Sequence, residues 1–172
     1  MANPMTRTDF PTLLDRFTRA AEAGDGDAFA ACFTEDAVYH DYIYGPHRGR
    51  QDIAHMMQNV FHRDAGPDYR WEMFDPVVLG NTGYAWSLSS FTSTVAGYAG
   101  RPVLIDGMSR FVFRGGLIES YHESVNGCVA MSQLGVEPER IAKVAKRWAG
   151  WLNERPEAVE FMARAKGTRR AG

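Results

Sequence analysis

The chain has 172 residues, 45% of them hydrophobic and 23% charged, with a formal net charge of −2. That is the size and composition of one ordinary globular domain, able to bury a core without disulfide or metal staples. The near-neutral balance excludes a partner selected by bulk charge, nucleic acid above all.

Residues 1–9 carry no apolar run, so no secretory leader is read there. No stretch approaches the roughly 20 apolar residues that a membrane-spanning helix needs. A cytoplasmic protein without membrane contact is the expectation. Cys32 and Cys128 lack CxxC spacing and read as small buried hydrophobes.

In chain order, residues 9–23 form the first predicted helix. Phe10, Leu13, Leu14, Phe17, Ala20 and Ala21 recur at helical spacing, and Gly24 is the stop. Asp27 is read as the N-cap of a short second helix over 28–33. Val38, Tyr39 and Tyr42 favour a strand over 36–42. Gly45-Pro46-His47-Arg48-Gly49 reads as a break, and a third helix follows over 51–62. The period then changes. Segments 69–79, 83–94, 102–113 and 117–126 are rich in β-branched and aromatic residues and are joined by short Gly-bearing connections. They predict an antiparallel four-stranded meander, hence an α+β fold with helices on one sheet face. After Gly127 the pattern returns to helix, amphipathic over 137–152, with a last helix over 156–165. The basic tail Lys166-Gly167-Thr168-Arg169-Arg170 reads as a solvated end.

Three acids stand out. Asp41 ends a strand on whose face Tyr39 also lies, with Val38 and His40 on the other. Asp106 interrupts an apolar strand and shares a face with Leu104, Met108 and Arg110. Glu123 shares one with Glu119, Tyr121 and Val125. Two carboxylates in one dry cavity push their protonation apart, so that one acts as base while the other stays neutral and donates. Asp41 with Asp106 is the expected pair. The plainer readings are a solvent-facing Asp106, Glu119 and Glu123, with His40 and His122 as ordinary strand histidines. Tyr69, Trp71, Tyr84, Trp86 and Phe91 read as core or subunit interface rather than a cofactor box. Phosphate-loop, dinucleotide, serine-hydrolase and zinc motifs are all absent from the sequence. The chemistry on offer is cofactor-free, metal-free acid–base work by Asp, Glu, His and Tyr.

Three stretches resemble the SnoaL-like branch of the nuclear-transport-factor-2-like superfamily: 17–25 with 33–41, 45–53, and 105–118. The resemblance implies a cone-shaped, curved antiparallel sheet around N-terminal helices, a cystatin-like α+β roll. By similarity to ketosteroid isomerases of this fold, Asp41 matches the general base and Asp106 the neutral oxyanion-hole acid. The oxyanion tyrosine of that family falls at Phe17, which has no hydroxyl to donate. Against limonene-type epoxide hydrolases, Glu123 falls near one catalytic acid, while Leu104 stands where their arginine is expected. Scytalone-type dehydratases have a histidine where Asp106 stands. Residues 1–130 are thus read as the SnoaL-like domain and 131–172 as a helical extension packed on it.

Together these imply a lyase, isomerase or cyclase acting on a hydrophobic, aromatic or polycyclic small molecule. The expected catalytic set is Asp41, Asp106, His40, Tyr39 and Glu123. Phe17, Tyr42, Met57, Trp86, Leu104, Met108 and Tyr121 are expected to contact substrate. A non-catalytic binding module of the same fold is the alternative, as is an epoxide-hydrolase-like enzyme. The helices cannot cover the second face of so aromatic a sheet, so a homodimer through that face is expected.

Overall fold

A computed structural model describes residues 5–168. Helix α1 (Asp9–Ala23) buries the apolar stripe read from its sequence and stops at Gly24, which is left-handed with φ 65°. A side chain at Gly24 would also strike the His62 ring, whose nearest atom lies 2.6 Å from the position of a Cβ. The cap of α2 (Gly26–Ala30) is Asp25 rather than Asp27; its carboxylate accepts the Ala28 amide at 2.9 Å.

Strand β1 (Phe33–Asp41) begins earlier than its β-branched residues suggest. The segment read as a break is β2 (Gly45–Arg48), which pairs antiparallel with β1, Tyr39 facing His47. Its four residues include Pro46, which an edge strand tolerates and a periodicity argument misses. Next comes a helical stretch: α3 (Gly49–His55), a π-helical turn (Met56–Phe61) and α4 (His62–Ala65). Met56 and Met57 are both buried there, and Phe61 meets Tyr69 edge-on at 4.7 Å.

Strands β3 (Arg70–Leu79), β4 (Thr82–Thr92), β5 (Pro102–Arg114) and β6 (Leu117–Val125) form the predicted antiparallel meander. The six-stranded sheet has the order β2-β1-β6-β5-β4-β3 and is mixed, because β1 joins β6 in parallel. The fold is α+β, as its sequence predicts.

Strand alternation divides the sheet into two faces. Phe111, Phe113, Ser109, Tyr121, Tyr39 and Ala85 are buried on the inner face, against α1 and α2. Phe17 sits at the centre, with ring centroids of Phe29, Trp71 and Tyr121 at 4.6, 4.9 and 5.4 Å. The outer face exposes Tyr84, Trp86, Leu104 and Met108.

The chain divides into two compact units between Leu134 and Gly135. Helix α5 (Gly127–Gln133) stays with the sheet unit, because the Gln133 amide bonds the Leu104 backbone in both directions, at 2.7 and 2.9 Å. The second unit holds α6 (Pro138–Glu154), none of whose residues is buried, and α7 (Pro156–Thr168). Pro138 opens α6, and the Arg147 guanidinium lies 5.2 Å from the Trp151 ring. Of the basic tail, Arg169 and Arg170 lie outside the described residues. No helix among the described residues is long and apolar enough to cross a membrane.

Candidate functional site

The parallel pairing of β1 with β6 builds the site. It sets Tyr39 beside Tyr121 and His40 beside His122. One residue further, on the inner face, come Asp41 and Glu123. The register is visible in the rings: Tyr39 stacks on Tyr121 at 4.7 Å, and His40 on His122 at 3.6 Å on the opposite face.

Asp41 is buried at the end of β1, and its Oδ1 accepts the amides of Ile43 at 2.6 Å and Tyr44 at 2.7 Å. Those bonds follow from the tight turn after Asp41, whose own side chain caps it. Burial pushes the Asp41 carboxyl up; the two amides and the nearby His47 pull partly against it. Glu123 is enclosed by Tyr39, Tyr69 and Tyr121. Burial, and then the charge of Asp41, lift its carboxyl to about 8. The Tyr121 hydroxyl, donating to Glu123 Oε2 at 3.3 Å, and the Tyr42 amide oppose that lift. Tyr121 is also 2.9 Å from Ser109 Oγ, so the Ser109 hydroxyl can donate to Tyr121 and Tyr121 to Glu123. Burial and the charge of Glu123 raise the phenols of Tyr39, Tyr69 and Tyr121 well above their ordinary value, so all three stay protonated donors at neutral pH.

The structure corrects the expected pair. Asp106 is exposed on the outer face, opposite Leu88 and between exposed Leu104 and Met108. It therefore does not lie beside Asp41; Glu123 does. Trp86, Leu104 and Met108 lie on that same outer face, 40%, 55% and 48% exposed, away from Asp41. His40 also faces away from the acid pair. Glu119 does not share the face of Tyr121 and Glu123. A bulge near Ser120 shifts the register, and Glu119 pairs instead with Arg114 at 2.8 Å. Phe17, Met57 and Tyr121 are buried on the inner side, Tyr39 beside them, and Tyr42 lies in the turn that covers Asp41.

Ser109, which the sequence does not single out, belongs to the site, as do Tyr69, expected only in the core or an interface, and His47, expected in a loop near Asp41 that can favour its ionised form. Alternation could have found Ser109, since it shares its face with Phe111 and Phe113. Close approach shows at Gly107 too, where a Cβ would lie 2.5 Å from Val125. A separate groove of about 550 Å3 runs between α1 and β3, with Leu14, Thr18, Trp71 and Met73 in its walls. Neither Asp41 nor Glu123 lines it. Among the described residues, no cluster of three or more His, Cys, Asp or Glu is placed to hold a metal ion.

Residues 14–121 match the family of SnoaL-like domains. The chain belongs to that family, within the nuclear-transport-factor-2-like superfamily. No curated protein matches the sequence. Among solved structures, TsrD from Streptomyces laurentii superposes on this SnoaL-like chain with a TM-score of 0.67 at 18% identity, over 77% of this chain and 99% of that one. A Catenulispora acidiphila protein with a ketosteroid isomerase-like fold, in complex with trimethylamine, has a TM-score of 0.67 at 15% identity, over 75% and 96%. A Mycobacterium tuberculosis LEH-like epoxide hydrolase has a TM-score of 0.59 at 16% identity, over 74% and 90%. At these identities the likeness shows the fold.

Proposed function

We propose that this SnoaL-like chain is a cofactor-independent acid–base enzyme of the lyase, isomerase or cyclase kind, acting on a hydrophobic, aromatic or polycyclic small molecule. One observation carries the reading: Asp41 and Glu123 lie side by side on the inner sheet face, and Glu123 is lifted to about 8 by burial and its neighbour. At neutral pH Glu123 then holds a proton. Asp41 is the base that removes a proton from the substrate, because two amides stabilise its anion. Neutral Glu123 donates to the oxyanion that develops, and the polarised Ser109–Tyr121 hydroxyls support it. The rings of Tyr39, Tyr69 and Tyr121 flank these acids, which suits a ring-bearing substrate.

The test uses a panel of hydrophobic ketones, enones and hydroxylated aromatics in heavy water, with NMR reading deuterium exchange at acidic carbon positions. The wild-type protein should exchange at least one of them, and Asp41→Asn should slow that exchange on the order of 10²–10⁴-fold. Retention of a ligand in native mass spectrometry, with exchange no faster than in Asp41→Asn, would make the chain a binding module instead.

A further inference from the structure

The pairing of β1 with β2 sets Tyr39 opposite His47 and Asp41 opposite Gly45, so the His47 side chain lies on the inner face, diagonally beside Asp41. It is 18% exposed. Its Nδ1 is 3.2 Å from Oδ1 of Asp52, and Oδ2 of Asp52 accepts the Arg48 amide at 2.8 Å. Burial raises the Asp52 carboxyl, but the Arg48 amide and the His47 ring outweigh it and hold it below its ordinary value. A carboxylate can only accept, so Nδ1 carries a hydrogen. At the other end of the ring, Nε2 is enclosed by protein and has no hydrogen-bond partner in the structure. The arrangement is an acid-anchored imidazole at the edge of the acid pair, with its second nitrogen unspent.

We propose that His47, anchored by Asp52, is the positioning residue that keeps Asp41 the ionised member of the pair and leaves the proton on Glu123. The inference rests on the acid–base reading of the same site and supplies what that reading lacks, a cause for the asymmetry. Whenever Nε2 also takes a proton, the ring is a cation beside Asp41 that favours its anion, and it lies further along the sheet from Glu123, with β1 between them. Asp41 from β1 and Asp52 from α3 interact with His47; His55 of α3 acts on Asp52, and Arg48 is the neighbour of His47 on its own strand. Asp52 is the member that bonds it. His47 touches no reacting atom in this scheme. It acts through Asp41.

The experiment needs no substrate. Carbon-13 NMR of the side-chain carboxyls, in the full chain, follows the titration midpoints of Asp41 and Glu123. In His47→Phe the Asp41 midpoint should rise by about one pH unit, tenfold in its acid constant, and that of Glu123 should fall, since its neighbour is then less ionised. His47→Arg, which restores a cation, should return Asp41 to its wild-type midpoint. Asp52→Asn should move Asp41 the same way by less. Asp52 is nearly half exposed, so this variant carries the test should His47→Phe fail to fold. Asp41 midpoints within about 0.3 of wild type in the folded variants overturn the inference. Activity plays no part in the readout, so this failure is distinct from a failure of the enzyme reading.

Discussion

Glu123 offers the sharpest test of the site as built. Its carboxyl is lifted from an ordinary value of 4.5 to about 8. Folding therefore favours the protonated form. That contribution is fully present below about pH 4.5 and is lost as pH rises through about 8, so stability must fall across neutral pH. The lift corresponds to a ceiling of about 5 kcal/mol. Glu123 keeps some contact with solvent, and roughly 2–3 kcal/mol is the expected loss after screening. Glu123→Gln keeps the shape, one acceptor for its donors and a donor, but cannot ionise. Urea unfolding followed by circular dichroism, at about pH 5, 7 and 9, should show wild type losing those 2–3 kcal/mol and Glu123→Gln losing less than about 1 kcal/mol. The variant should also be the more stable protein at about pH 9, where wild type buries two adjacent anions. Equal pH slopes in the two proteins would refute the burial of Glu123 as an acid, and the split pair with it.

Tyr121→Phe removes the hydroxyl that links Ser109 to Glu123; it should cost about 1–3 kcal/mol and raise the Glu123 midpoint further, read by carboxyl NMR. Asp106→Asn should change stability by no more than about 0.5 kcal/mol and leave the Glu123 midpoint in place, because Asp106 faces outward. A moved midpoint would put Asp106 back at the site. The exposed Tyr84, Trp86, Leu104 and Met108 should hold two copies together, so light scattering should give twice 19.2 kDa, falling to 19.2 kDa in Trp86→Glu with Met108→Glu. A wild-type mass of 19.2 kDa would sink that expectation.

Much of the fold is legible in the sequence because periodicity is a local property. The α1 stripe and the four long strands follow from spacing and punctuation alone. The misplacement of Asp106 shows where such reasoning stops. Alternation correctly grouped Leu104, Asp106, Met108 and Arg110, yet it does not say which face points inward. The other set continues through Ser109 to Phe111 and Phe113, two fully or nearly buried rings, and that continuation marks the inner face. The β2 strand escaped because four residues with a proline carry too little pattern. The bulge near Ser120 escaped because a one-residue slip leaves no mark in composition.

By itself, the sequence determined the α+β class, the family and the presence of Asp41 and Glu123 on strands that alternate. Each of these depends on neighbours within a few positions, or on short stretches with a known counterpart. Only the tertiary structure decided that β1 lies parallel to β6. That contact joins Asp41 to a residue 82 positions away, and the chain between them carries no local signal of it. The same pairing decides which acids share a proton. Mutual repulsion and desolvation depend on separation in space, so two carboxylates that look equivalent in sequence acquire different protonation once the strands are side by side.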